Sequence, residues 1–316
     1  MGMGFLKFLE ALRTPFFDSL FSIITLLGDE TAFLVIAIVV FWCINKREGY
    51  YVLITGFVGT VINQSLKLIC KVPRPWKDPS FTAVESAIPA ATGYSFPSGH
   101  TQNVTGTFGS IARWSRKPTV RIVMIAIILL VAFSRMYLGV HTPLDVGFSL
   151  VFGTVLLLCL YPIFKNEENF ERCMPYVSIV SFLLSLGNLI YAFALSEKSV
   201  DAENLLSGRE NAVTLFTLGV CLVVVYFVDK KYVKFETGGK WYAQIIKLVL
   251  GLAILLLIKE GGKIPLAAIF DNIYLARGIR YFIVVIFAGC VWPLTFKFFS
   301  RLRIPALDNI FKKKTK

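Results

Sequence analysis

The sequence predicts an all-α fold, a polytopic membrane helical bundle of about nine transmembrane helices with an N-terminal interfacial helix. Three observations predict it. Apolar residues make up 56% of the 316 and charged residues only 17%, a balance foreign to a soluble domain of this size. The apolar residues come in long uninterrupted runs. The charges collect in the short loops between those runs.

Residues 1–30 read as an amphipathic interfacial segment. Phe5, Phe8, Leu9 and Leu12 recur at helical spacing with Lys7, Glu10 and Arg13 between them, and Phe16, Phe17, Leu20 and Phe21 continue the pattern. Asp18, Asp29 and Glu30 interrupt this stretch, which therefore lacks a signal-peptide layout. Residues 31–172 carry the polar motifs described below and form the expected catalytic core. Residues 173–316 add further transmembrane helices without a chemical motif.

The first span runs from about Thr31 to Ile44, short enough that it can begin nearer Phe21. The next are about Tyr50–Ile69, His100–Trp114, Ile122–Tyr137 and Pro143–Phe164. His100–Trp114 is rich in Thr, Asn and Gly, a composition suited to a helix enclosed by other helices. Four more follow: about Tyr176–Leu195, Ala212–Phe227, Trp241–Ile258 and Ile279–Phe299.

The net charge of +13 arises mostly from basic loops. Asn45-Lys46-Arg47, the run from Arg113 through Lys117 to Arg121, the loop from Asp229 to Lys240 and the Lys312-Lys313-Lys314 tail fall on one side, which should be cytoplasmic together with the C-terminus. This distribution suits anionic lipid and gives no reason to expect a nucleic-acid partner. Cys43, Cys70, Cys159, Cys173, Cys221 and Cys290 show no metal-ligand spacing and read as small buried hydrophobes.

Three polar clusters fall on the opposite side: Lys67-x6-Arg74-Pro75, Pro97-Ser98-Gly99-His100, and Ser134-Arg135-x5-His141-x3-Asp145. They contain both histidines of the chain. His141 and Asp145 are one helical turn apart, so a carboxylate can orient an imidazole, although a capping Asp near an interfacial His has the same spacing. Ser98-Gly99 opens a helix whose free N–H groups attract anions, although Ser98 can equally be an ordinary N-cap. Lys67, Arg74 and Arg135 lie where basic residues are disfavoured, which argues against simple snorkelling and for a bound phosphate. Two histidines and one carboxylate among three cations make a poor metal site.

These clusters resemble the three-part signature of the type 2 phosphatidic acid phosphatase and vanadium haloperoxidase superfamily, in its integral-membrane lipid phosphatase branch. The likeness covers roughly residues 15–165, about half the chain, with every key position present in order. The resemblance implies that His141 is the nucleophile, that Asp145 orients it, and that His100 protonates the leaving group. It implies that Lys67, Arg74, Ser98, Gly99 and Arg135 bind the phosphoryl group, with no metal and no cofactor. The residues alone leave open which histidine attacks.

The expected activity is hydrolysis of a lipid phosphate or isoprenyl pyrophosphate on the non-cytoplasmic face, through a phosphohistidine. The family layout keeps a sugar phosphate open as a substrate. A lipid- or sugar-phosphate phosphotransferase and an anion or lipid transporter are the alternatives. The loop from Trp76 to Tyr94 is either a specificity element or a plain connector. The expected partners are the substrate and the bilayer, and no oligomeric state is implied.

Overall fold

The computed structural model describes residues 2–304, and all regular elements among them are helical. The Lys312-Lys313-Lys314 tail lies outside the described residues. Two short helices open the chain, α1 (Met3–Ala11) and α2 (Pro15–Ile24). The Thr14 hydroxyl caps α2 by accepting from the Phe17 amide, with Pro15 set at the first helical position. Leu6 and Leu9 are buried, while Phe5, Phe8, Leu12 and Phe16 are exposed, the division expected of an amphipathic segment.

A short turn (Thr25–Gly28) leads to α3 (Glu30–Val39), capped by Asp29 and continued by a wider turn through Val40–Ile44. The two halves of this stretch meet at 51° across Asp29. Then follow α4 (Lys46–Cys70), α5 (Gly99–Trp114), α6 (Pro118–Tyr137) and α7 (Pro143–Phe164). The remainder is α8 (Glu167–Ala194), α9 (Ala202–Val228), α10 (Trp241–Gly261), α11 (Lys263–Ile269), α12 (Ile273–Ile286) and α13 (Phe296–Arg301).

Among the described residues, seven stretches are long and apolar enough to cross a membrane, or eight if the bent pair around Asp29 counts as one. The remaining stretch expected to span, His100–Trp114, forms α5. At 16 residues it is shorter than a bilayer core requires. It is instead enclosed by α3, α4, α6 and α7. Small residues make that possible: a methyl at Gly106 would stand 3.6 Å from the main chain of Gly56 on α4.

Several helices begin earlier than their apolar runs. α8 starts at Glu167 rather than near Tyr176, and α9 at Ala202 rather than near Ala212. Asn166 and Asp201 cap these polar first turns, which hydropathy alone does not register as helix. The cysteines also depart from the expected burial. Cys221 and Cys290 are buried, Cys43 and Cys173 half-buried, and Cys70 and Cys159 exposed.

An aromatic core joins the first helices to the last ones. Trp42 packs against Trp292 and Phe296, and Phe41 against Tyr50 and Phe235. Lys247 of α10 is 1% exposed. It donates to the Trp42 carbonyl at 2.8 Å, with its ammonium 4.1 Å from the Phe296 ring centroid. This lysine has a buried partner and does not snorkel.

Candidate active site

Four helix ends build the site. Lys67 lies in the last turn of α4, which closes on Lys71 in the left-handed region (φ 51°) and releases the chain into the loop. The loop returns to start α5 at Ser98. Its Ser95 amide donates to the Val72 carbonyl at 2.8 Å, bringing the two loop ends together. The α6–α7 connection turns at Gly139 (φ 76°), and the Val140 and His141 amides donate back to the Arg135 carbonyl at 3.1 and 3.3 Å. A capping box then starts α7. The Thr142 hydroxyl accepts from the Asp145 amide, and the Asp145 carboxylate accepts from the Thr142 amide at 2.8 Å.

Loop carbonyls hold the cations. Arg74 donates to Thr92, Gly93 and Val140 carbonyls at 2.6, 2.9 and 3.0 Å. Lys67 donates to the Tyr94 carbonyl. Arg135 donates to the Thr25 hydroxyl at 2.7 Å and keeps a buried Nε without a partner. All three are buried, and the carboxylate among them is Asp145, itself 1% exposed. Buried cations in excess of buried carboxylates create a strong field for an anion.

His141 is 2% exposed, and its Nε2 lies 3.0 Å from Nη1 of Arg74. A guanidinium only donates, so Nε2 accepts and the ring proton sits on Nδ1. That nitrogen is 3.5 Å from Oδ2 of Asp145, at ion-pair range and longer than a hydrogen bond. His141 lies outside both flanking helices. Burial, followed by the Arg74, Arg135, Lys67 and His100 charges, pushes its pKa well below the usual histidine range. The imidazole is therefore a neutral base.

His100 stands in the first turn of α5 against the bend before α3. A methyl on Gly28 would lie 3.0 Å from the His100 Cβ. Ser98 behaves as an N-cap: its Oγ is 2.9 Å from the Thr101 hydroxyl and accepts from the Thr101 amide at 3.4 Å. Gly99 opens the same helix and leaves its N-terminus unencumbered by a side chain.

The structure thus brings all eight sequence-selected residues to one place and adds two. The Ser95 hydroxyl donates to Oδ2 of Asp145 at 2.6 Å. Asn63, one turn before Lys67, is 2% exposed, and neither end of its amide has a partner. Its Oδ1 lies 3.9 Å from the position a Gly99 methyl would take. An asparagine inside an apolar run was the available signal for it. Ser95 had no distinguishing signal in a Ser- and Gly-rich loop.

Comparison with known proteins bears on this arrangement. Residues 47–169 match the PAP2 superfamily, and residues 214–303 match the PAP2 superfamily phosphatase transmembrane extension. Mouse sphingosine-1-phosphate phosphatase 1 is 26% identical over 273 residues, covering 80% of this chain and 62% of that protein. Undecaprenyl-diphosphatase BcrC of Bacillus subtilis (strain 168) is 36% identical over 113 residues, covering 35% of this chain and 55% of that protein. Phosphatidylglycerophosphatase B of the same strain is 29% identical over 176 residues, covering 51% and 82%. The chain spans about three fifths of the length of the mouse and rat sphingosine-1-phosphate phosphatase 1 that it matches. No solved structure matches it.

Proposed function

From a chain that carries a PAP2 superfamily domain and its transmembrane extension, we propose an integral-membrane lipid phosphatase. Its substrate is a lipid monophosphate or an isoprenyl pyrophosphate, cleaved on the non-cytoplasmic face. The relatives named for sphingosine 1-phosphate, phosphatidylglycerophosphate and undecaprenyl diphosphate support that substrate range. The observation that carries the reading is the Arg74–His141 contact, which presents a neutral Nε2 lone pair inside a cluster of buried cations.

In this reading the phosphoryl group enters between Arg74 and His141. Arg74, Lys67 and Arg135 take its oxygens, with the Ser98–Gly99 helix start and Asn63 completing the cradle. Nε2 of His141 attacks phosphorus while His100 gives a proton to the leaving oxygen. Asp145 stabilises the proton on Nδ1 as the ring becomes positive. Water then attacks the phosphohistidine, with His100 accepting its proton, and inorganic phosphate leaves. We assign residues 1–30 to the interface, 31–172 to this core and 173–316 to a supporting helical extension.

The test is phosphate release by purified protein in detergent with EDTA, across phosphatidate, phosphatidylglycerol phosphate, sphingosine phosphate, isoprenyl pyrophosphates and glucose 6-phosphate. Release that His141→Ala abolishes supports the reading. Failure on every compound sinks it, and a phosphorylated acceptor formed in place of free phosphate makes the protein a transferase.

A further inference from the structure

The N-terminal segment, α1 and the short link to α2, is bonded to both segments that frame the candidate site. Arg13 donates from Nε to the Tyr137 carbonyl at 3.1 Å and from Nη1 to the Thr82 carbonyl at 2.5 Å. Its guanidinium carbon lies 5.3 Å from the Phe81 ring centroid. The same group fills the space beside Gly139, where a methyl would stand 2.6 Å from Nη2 and 2.8 Å from the Phe81 ring. One side chain therefore joins the loop of residues 76–94 to the turn that reaches His141 two residues later.

Neighbouring residues reinforce the joint. Oε1 of Glu10 accepts from the Thr82 amide at 3.0 Å and from the Thr82 hydroxyl. Lys7 donates to the Ser80 hydroxyl at 3.0 Å, and the hydroxyls of Ser22 and Ser86 are 3.0 Å apart. The Val84 amide donates to the Leu138 carbonyl at 3.0 Å. The far end of this loop supplies the Thr92, Gly93 and Tyr94 carbonyls that hold Arg74 and Lys67. These N-terminal residues lie outside the stretch matched to the PAP2 superfamily.

We propose that Glu10 and Arg13 are positioning residues for phosphoryl transfer. They fix the 76–94 loop, and through it Arg74 and Lys67, against the turn that carries His141. Arginine suits the position because its planar fork serves two carbonyls at once, where a lysine ammonium would reach one. The opposite face of α1 exposes Phe5 and Phe8, which places the clamp where lipid meets water.

Hydrogen exchange read by mass spectrometry, paired with kinetics, tests this on full-length wild type, Arg13→Ala, Arg13→Lys and Glu10→Gln in detergent. The kinetic arm rests on the phosphatase reading, and the exchange arm does not. In Arg13→Ala the amides of residues 76–94 exchange at least about tenfold faster while α8 to α12 are unchanged. The ratio kcat/KM falls roughly 10- to 100-fold, mainly in kcat, because displaced cations lose the transition state. Arg13→Lys falls between Arg13→Ala and wild type, and Glu10→Gln loosens the loop less than Arg13→Ala. Loop exchange within about twofold of wild type, faster exchange throughout the protein, or an unaltered kcat/KM overturns the proposal. If wild type hydrolyses none of the compounds tested, the phosphatase reading fails, and loop exchange alone still decides whether Glu10 and Arg13 hold the loop.

Discussion

Arg74 Nη1 stands 3.0 Å from His141 Nε2, in hydrogen-bond contact with the lone pair assigned to attack phosphorus. In the proposed mechanism an arriving phosphoryl oxygen would draw this donor off the lone pair. Arg74→Ala should lower kcat/KM by about 10²–10³-fold, or ~3–4 kcal/mol of transition-state stabilisation. Arg74→Lys should recover little, because one ammonium cannot reproduce the hold on the Thr92, Gly93 and Val140 carbonyls. Phosphate-release kinetics decide it, and a loss under about threefold removes Arg74 from the assigned role.

The acid limb of kcat/KM should lie below the ordinary histidine range, centred at about 6.5. The sign follows from a depressed pKa: burial and the surrounding cations disfavour the imidazolium, so the base form of His141 persists as pH falls. In Arg74→Gln one cation is gone, and the His141 titration should move upward. The chain has 2 histidines, so an NMR titration of labelled imidazoles reads the shift without needing turnover.

Asp145 is held from two sides, by the Thr142 amide at 2.8 Å and the Ser95 hydroxyl at 2.6 Å. Asp145→Asn should lower kcat by up to about 10⁴-fold by losing the charge beside Nδ1. Ser95→Ala should cost about 0.5–1.5 kcal/mol of stability and lower kcat more than it raises KM. An unchanged kcat in Ser95→Ala, measured alongside thermal unfolding, would make that serine a loop staple only.

Lys247 ties α10 to the Trp42 carbonyl, far along the chain from the polar clusters. Lys247→Met should leave that carbonyl buried and unpaired, costing about 1–3 kcal/mol. The melting temperature in detergent should drop while activity per folded molecule stays at the wild-type level. A selective loss of activity would instead couple the extension to the chemistry.

The sequence exposed the site where side-chain identity carries the chemistry. Both histidines, Asp145 and the three cations are rare residue types for a membrane interior, and their spacing survives without the fold. It concealed what depends on the main chain. Carbonyls of Thr92, Gly93 and Tyr94 hold the cations, and a carbonyl has no residue type to recognise. Arg13 looked like one charge on an amphipathic helix, because nothing local indicates contact with Thr82 and Tyr137. Polar first turns hid the starts of α8 and α9, while the enclosure of α5 followed directly from its small residues.

The use of loop carbonyls to seat Arg74 and Lys67 has a consequence for how such a protein can diversify. A main-chain oxygen is present whatever side chain its residue bears. The exposed side chain of Thr92 can therefore be exchanged while its carbonyl keeps its hold on Arg74, whereas Gly93, at φ 68°, and the buried Tyr94 are fixed by backbone and packing. Under the proposed activity, substrate preference would be free to change at that one position without moving the phosphate ligands.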